Sequence, residues 1–141
     1  MIYCCQYTTH IERENLVKIQ ESAENYLETI LMLSQKSAHV RSIDIATELN
    51  YTKPSVSVAM KKLRESELIT VDGDGFITLT EKGMEIASSM YERHQLLSDW
   101  LVYLGVPEDI ALEDACRIEH VISQETFERI RAHVTEMSEH S

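Results

Sequence analysis

From Ser22 onward, apolar residues recur at helical period. Ala23, Tyr26, Leu27, Ile30, Leu31 and Leu33 trace one stripe and predict an amphipathic helix. The opposite edge carries Asn25 and Glu28 three residues apart, a pair that an ordinary solvated face also produces. Before residue 22 the pattern is weak, although Thr9 can cap a helix running from Ile11 through Leu16 and Val17 into the stripe. Ser42 is the expected N-cap of a short helix with Ile43, Ala46 and Leu49 on its apolar edge, closed by a left-handed Asn50. Thr52 then caps a second helix, with Pro54 tolerated in its first turn. Val56, Met60 and Leu63 face inward there, while Lys53, Ser55, Ser57, Val58, Lys61 and Lys62 face out.

Two short helices around a tight turn, the second basic and rich in small hydroxyls, predict a helix-turn-helix. An ordinary helical hairpin with a lysine-rich surface is the plainer alternative. The following stretch, Leu68 to Leu79, sets β-branched residues about Asp72-Gly73-Asp74-Gly75 and predicts a β-hairpin. Helix, turn, helix and hairpin is the order of a winged helix. The acidic tip makes this wing a poor grip for phosphate.

Thr80 caps a long helix from Glu81 to about Leu104, stopped by Gly105 and Pro107. Its expected inward stripe is Met84, Ala87, Tyr91, His94, Leu97 and Leu101, which puts an imidazole on an apolar face. A core histidine is the usual meaning of such a residue. Pro107-Glu108-Asp109 begins the next helix, read as continuing through Ile122. Ser123 caps a last one with Phe127, Ile130 and Val134 inward and a frayed tail from Thr135. Within the helix after Pro107, Cys116, Glu119 and His120 fall at i, i+3 and i+4 on one face. Sulfur, oxygen and nitrogen at that spacing suit a divalent transition metal, although a surface helix carrying the same residues by chance is the more frequent case.

The fold class expected is mainly α with a small β-hairpin. An N-terminal extension covers 1–21, a winged-helix DNA-binding domain 22–80, and a helical region 81–141. With 43% apolar residues the chain has a globular composition, and no apolar run approaches the ~20 residues of a membrane span. Three cysteines, two of them adjacent at Cys4 and Cys5, argue against a disulfide framework and for thiols in the cytoplasm. Net charge is −11, yet residues 36–64 hold six bases against two acids. That basic island on an acidic body binds phosphate locally and limits non-specific attachment elsewhere.

Several stretches together resemble the diphtheria-toxin-repressor and manganese-transport-regulator family of metal-dependent bacterial transcription factors. They are Glu24-Asn25-Tyr26-Leu27-Glu28-Thr29-Ile30, Lys53-Pro54-Ser55-Val56-Ser57, Thr78-Leu79-Thr80-Glu81-Lys82-Gly83, Glu92-Arg93-His94 and Cys116-Arg117-Ile118-Glu119-His120. The resemblance implies that 81–141 is a helical metal-binding and dimerisation domain, and that the chain is a homodimeric regulator in the short form without an SH3-like domain. It implies metal ligands at Asn25, Glu28, His94, Cys116, Glu119 and His120. The iron-responsive branch shares Cys116 but has methionine for Asn25 and no acid at Glu28; the manganese branch shares Glu28 but has aspartate for Asn25 and glutamate for Cys116. Ser98 and Leu112 stand where the iron branch places an ancillary site, which is therefore expected to be absent in its usual form. A thiolate favours iron, zinc or cobalt over manganese. Iron(II) is the first expectation, manganese(II) close behind, with zinc(II) as a structural or competing ion.

The expected function is a repressor that binds palindromic operator DNA when loaded with metal. Thr52, Lys53, Pro54, Ser55 and Ser57 would meet the groove, and Arg41, Lys61 and Lys62 the phosphates. The rival reading is a winged-helix regulator that senses a small molecule or an oxidant through Cys116. An enzyme is the weaker rival, since no general base stands apart from the would-be ligands.

Overall fold

The computed structural model describes the backbone of residues 10–140 and the side chains of 22–140. Thr9 and the Cys4-Cys5 pair lie outside the described residues. In chain order the elements are α1 (His10–Lys36), α2 (Ser42–Leu49), α3 (Lys53–Glu65), β1 (Ile69–Val71), β2 (Ile77–Leu79), α4 (Glu81–Tyr103), α5 (Glu108–Ile118) and α6 (Gln124–Glu139). They fall into two compact units, Met1–Ala87 and Ser88–Ser141, with the boundary inside α4.

In the first unit α2 packs on α1 and α3, α1 also meets β2, and α3 meets β1. Leu27, Ile30, Val40, Ile45, Val56, Met60, Leu63, Ile69 and Ile77 form its core. At the N-terminus of α2 the cap is Arg41, not the expected Ser42. The Asp44 carboxylate accepts a hydrogen bond from the Arg41 backbone N–H at 2.8 Å, so a reach-back by the third helical residue replaces a cap hydroxyl. Asn50 closes α2 at φ 55 and ψ 43, in the left-handed region. The Thr52 hydroxyl accepts from Ser55 N–H to start α3, with Pro54 in the first turn.

The hairpin pairs Ile69 with Leu79, Thr70 with Thr78 and Val71 with Ile77. Its turn is stabilised by the Asp72 carboxylate, which accepts from the N–H groups of Asp74 and Phe76, both at 2.9 Å. The hairpin is fastened beneath by Ile77 N–H, which donates to Val40 O at 2.7 Å. Thr80 then starts α4, accepting from Gly83 N–H at 3.1 Å and donating to Glu67 O at 2.8 Å.

Four further expectations about the helices change. Ile43, expected on the apolar edge of α2, is 44% exposed, and Ile45 is buried beside Ala46 instead. Met84 is 41% exposed rather than inward; Gly83 is the buried residue of that turn, held against the Leu68 backbone. α5 ends at Ile118, so Glu119 is its C-cap and His120 stands in the turn beyond. The segment from Thr135, expected to fray, is helical as far as Glu139.

In the second unit Ala111, Ala115, Leu97 and Phe127 are buried. Gly105, at φ 102, reverses the chain between α4 and α5, a conformation that favours glycine. Ser123 accepts from Thr126 N–H at 3.1 Å and launches α6. No described helix is long and apolar enough to cross a membrane.

Candidate metal centre and nucleic-acid interface

In the second unit, the end of α5 and the middle of α4 bring three of the expected ligands together. The Glu119 side chain is fully buried, with no exposure. His94 Nδ1 lies 3.2 Å from Glu119 Oε2, and His120 Nε2 lies 3.3 Å from Glu119 Oε1. Both imidazoles are themselves largely covered, at 15% and 8% side-chain exposure. The position of Glu119 follows from the end of α5. Glu119 N–H still donates to Ala115 O at 3.0 Å, keeping the residue in register with the helix. Val121 N–H and Ile122 N–H then both donate to Ile118 O, winding the chain through one tightened turn in which His120 lies beside the carboxylate it follows.

Bringing an ionised carboxylate out of water costs several kcal/mol unless opposite charge compensates it. Two imidazole nitrogens and one carboxylate in a covered position form a mixed nitrogen–oxygen donor set of the kind that binds iron, manganese or zinc. These residues fit a divalent transition metal.

Cys116, expected on the same face, is exposed and free. It lies within α5, whereas Glu119 is the C-cap, still in helical register, and His120 stands in the turn beyond, so the three do not sit on one unbroken helix. Ser98 is buried and donates to Gln95 O at 3.2 Å, while Leu112 is 42% exposed; neither supplies a charged donor.

In the first unit, Glu28 is only 5% exposed, which rules out the solvated-face alternative for this residue. It belongs to the covered run from Tyr26 to Ile30 on α1. Asn25 is half-buried, and its backbone carbonyl accepts from Thr29 Oγ1 at 2.8 Å. Beside them Tyr26 meets Tyr51 edge-on, with ring centroids 6.0 Å apart. Burial raises the Tyr26 phenol's pKa and Tyr51 adds to the effect, so the hydroxyl stays neutral through physiological pH.

The side chains expected to meet DNA are all exposed: Arg41, Thr52, Lys53, Pro54, Ser55, Ser57, Lys61 and Lys62. At the head of α3, Thr52 Oγ1 donates to Ser55 Oγ at 2.7 Å, so the two hydroxyls share one fixed arrangement. Arg41 lies over the Phe76 ring at 4.6 Å, and His39 stacks on Phe76 at 4.2 Å with planes 19° apart. His39 and Phe76 escaped the sequence reading because their association depends on the hairpin folding back to Val40. The one available signal was the aromatic residue following Gly75.

Residues 18–75 match the family model described as iron dependent repressor, N-terminal DNA binding domain. Residues 80–140 match the model for the iron dependent repressor metal binding and dimerisation domain. The chain is 33% identical over 112 residues to the transcriptional regulator MntR of Escherichia coli O6:H1, covering 79% of this chain and 72% of that protein. It is 32% identical over 114 residues to the iron-dependent repressor IdeR of Mycobacterium tuberculosis, covering 80% of this chain and 50% of that one. Among solved structures, the manganese regulator SloR superposes with a TM-score of 0.72 at 32% identity, over 80% of this chain and 53% of SloR. A manganese-dependent transcriptional repressor solved with manganese gives 0.74 at 30% identity, over 80% and 52%. The chain thus spans about half the length of these solved relatives. On both matched halves, it belongs to the iron-dependent repressor family of metal-dependent, DNA-binding transcriptional regulators.

Proposed function

We propose that this chain is a repressor of metal-homeostasis genes, acting in the cytoplasm as a homodimer that binds a palindromic operator when loaded with iron(II) or manganese(II). The observation that carries the metal part is the fully buried Glu119 carboxylate held between His94 Nδ1 and His120 Nε2. Glu28 supplies a second buried carboxylate, and Asn25 and Cys116 complete the ligand set that the family resemblance implies.

A bound divalent ion supplies fixed positive charge that compensates the buried carboxylates. The chain's own residues do the rest. Glu28 and Asn25 belong to α1, in the DNA-binding half, while His94, Glu119 and His120 belong to α4 and the α5–α6 turn. A ligand set drawn from both halves restrains one against the other. In a two-fold dimer this restraint holds the two α3 helices at the separation of successive major grooves, about 34 Å. Without it, engaging both half-sites costs the ordering of the two halves at the moment of binding.

Iron(II) is the first candidate, with manganese(II) close behind and zinc(II) a competing or structural ion, because Cys116 softens an otherwise oxygen- and nitrogen-based set. The test is anaerobic operator titration with iron(II), manganese(II), zinc(II) and cobalt(II), using the intact chain and Glu119→Gln. Metal should raise operator affinity in the intact chain and leave Glu119→Gln unaffected. Operator affinity that no metal changes would overturn the proposal.

A further inference from the structure

The end of α5 poses a physical problem. A helix that stops leaves its last carbonyls without the donors four residues on, and this one stops without glycine or proline. Ile118 O is served by the Val121 and Ile122 N–H groups; for the C-cap carbonyl of Glu119, and for Ile122 O in the turn beyond, the donors come from Arg93 on α4. Its Nη1 donates to Glu119 O at 2.9 Å and to Ile122 O at 3.2 Å, and its Nη2 donates to Gln124 Oε1 at 2.6 Å. The guanidinium lies 5.1 Å from the centre of the buried Phe127 ring, and Arg93 as a whole is 8% exposed.

We propose that Arg93 is the positioning residue of the metal centre, setting the Glu119–Gln124 turn so that Glu119 and His120 face His94. This inference rests on the metal-binding reading above. Arg93 and His94 are neighbours on α4, and both act on Glu119: His94 meets its carboxylate, and Arg93 takes its carbonyl. Glu119 is thus fixed from the side chain and from the backbone by consecutive residues of one helix. The two terminal nitrogens of the arginine fork serve two carbonyls and an amide oxygen at once; a lysine ammonium would serve one or two of them as a point charge. The fork also spans the turn, from the α5 C-cap to the first residue of α6, so the turn closes as a unit. Gln124 is itself held from its other end, its amide donating to Glu128 at 2.7 Å. Residues that orient metal ligands in this way commonly contribute 10–100-fold to metal affinity.

The experiment uses cobalt(II) as the probe, because its visible ligand-field spectrum reports coordination geometry independently of DNA binding. Intact chain, Arg93→Met, Arg93→Lys and Gln124→Met are titrated anaerobically at a temperature at which each metal-free variant is folded by circular dichroism. The expected result is a Kd for cobalt(II) about tenfold or more higher in Arg93→Met. A smaller rise is expected in Arg93→Lys and Gln124→Met, with a changed spectrum in all three. Gln124→Met keeps the arginine and its two carbonyl contacts, so it folds even if Arg93→Met does not. A Kd and spectrum matching the intact chain in the folded variants, with only thermal stability lowered, would make Arg93 a purely structural residue and overturn the inference. An intact-chain spectrum that Glu119→Gln leaves unaltered would overturn the metal reading itself and this inference with it.

Discussion

Glu119 and Cys116 lie three residues apart in one stretch, yet their surroundings give them different weight. Glu119 is fully buried between two imidazoles, and Cys116 is exposed near the end of α5. Replacing Glu119 by glutamine keeps shape and hydrogen bonding but removes the charge that attracts a cation. Manganese(II) affinity should fall by more than about 100-fold, beyond what loss of an orienting group alone produces. Cys116→Ala should cost less than about tenfold for manganese(II), about 1.4 kcal/mol, since a soft thiolate adds little to the binding of a hard cation and the thiol is exposed. Calorimetric titration of both variants checks the order, and equal losses would place the thiolate on a par with the carboxylate. Gly83 makes a sharper case for shape. A Cβ there would collide with the Leu68 carbonyl oxygen and lie 3.0 Å from its carbon. Backbone cannot swing aside as a flexible side chain does, so Gly83→Ala should destabilise by roughly 3 kcal/mol, the upper end for overpacking. Thermal unfolding of the intact chain and the variant measures this.

Among the elements, α3 was the most legible in the sequence, because its determinants are local. Thr52 caps it, Pro54 fits its first turn, and Val56, Met60 and Leu63 bury the expected face. The C-terminus of α5 was the least legible. Nothing within the stretch Cys116–Val121 stops a helix, and the groups that accommodate the stop sit on Arg93, 26 residues away from Glu119. Glu28 was ambiguous for a related reason: i, i+3 spacing from Asn25 says which face a residue occupies, not whether another element covers that face. Met84 lies exposed while Gly83 takes the inner position, where the close approach of Leu68 demands the smaller residue. The legible helix also gives a separable prediction. The exposed Lys61 and Lys62 carry charge without base-reading geometry, so Lys61→Ala should weaken binding to all DNA sequences alike. It should also flatten the slope of log affinity against log salt by about one unit. Fluorescence anisotropy on operator and scrambled duplexes across salt checks both effects, and a loss confined to the operator would contradict a phosphate role.

For the whole molecule, the second unit exposes apolar residues on either side of the α4–α5 turn: Val102, Tyr103 and Leu104 before it, Ile110 and Leu112 after it. Tyr103 is 66% exposed and Leu104 58%, more than a solitary apolar surface residue needs to explain. The matched family model names this half a dimerisation domain, and a second copy is the occupant that fits. In a two-fold interface each substitution appears twice, so one introduced charge faces its own copy or the copy's apolar surface. Leu104→Asp should therefore shift the chain toward monomer in sedimentation velocity. It should retain cobalt(II) binding, because Leu104 lies past the C-terminal end of α4, ten residues on from His94, and contributes no ligand. Operator affinity should nevertheless collapse toward that of a single half-site, since the gain from metal depends on fixing two recognition helices together. Reciprocity then supplies a further measurement on the same variant. In the dimer, operator DNA should tighten metal binding by the same factor by which metal tightens operator binding. In the Leu104→Asp monomer both factors should shrink together, whereas a metal effect on DNA binding that survives in the monomer would locate the coupling within one chain.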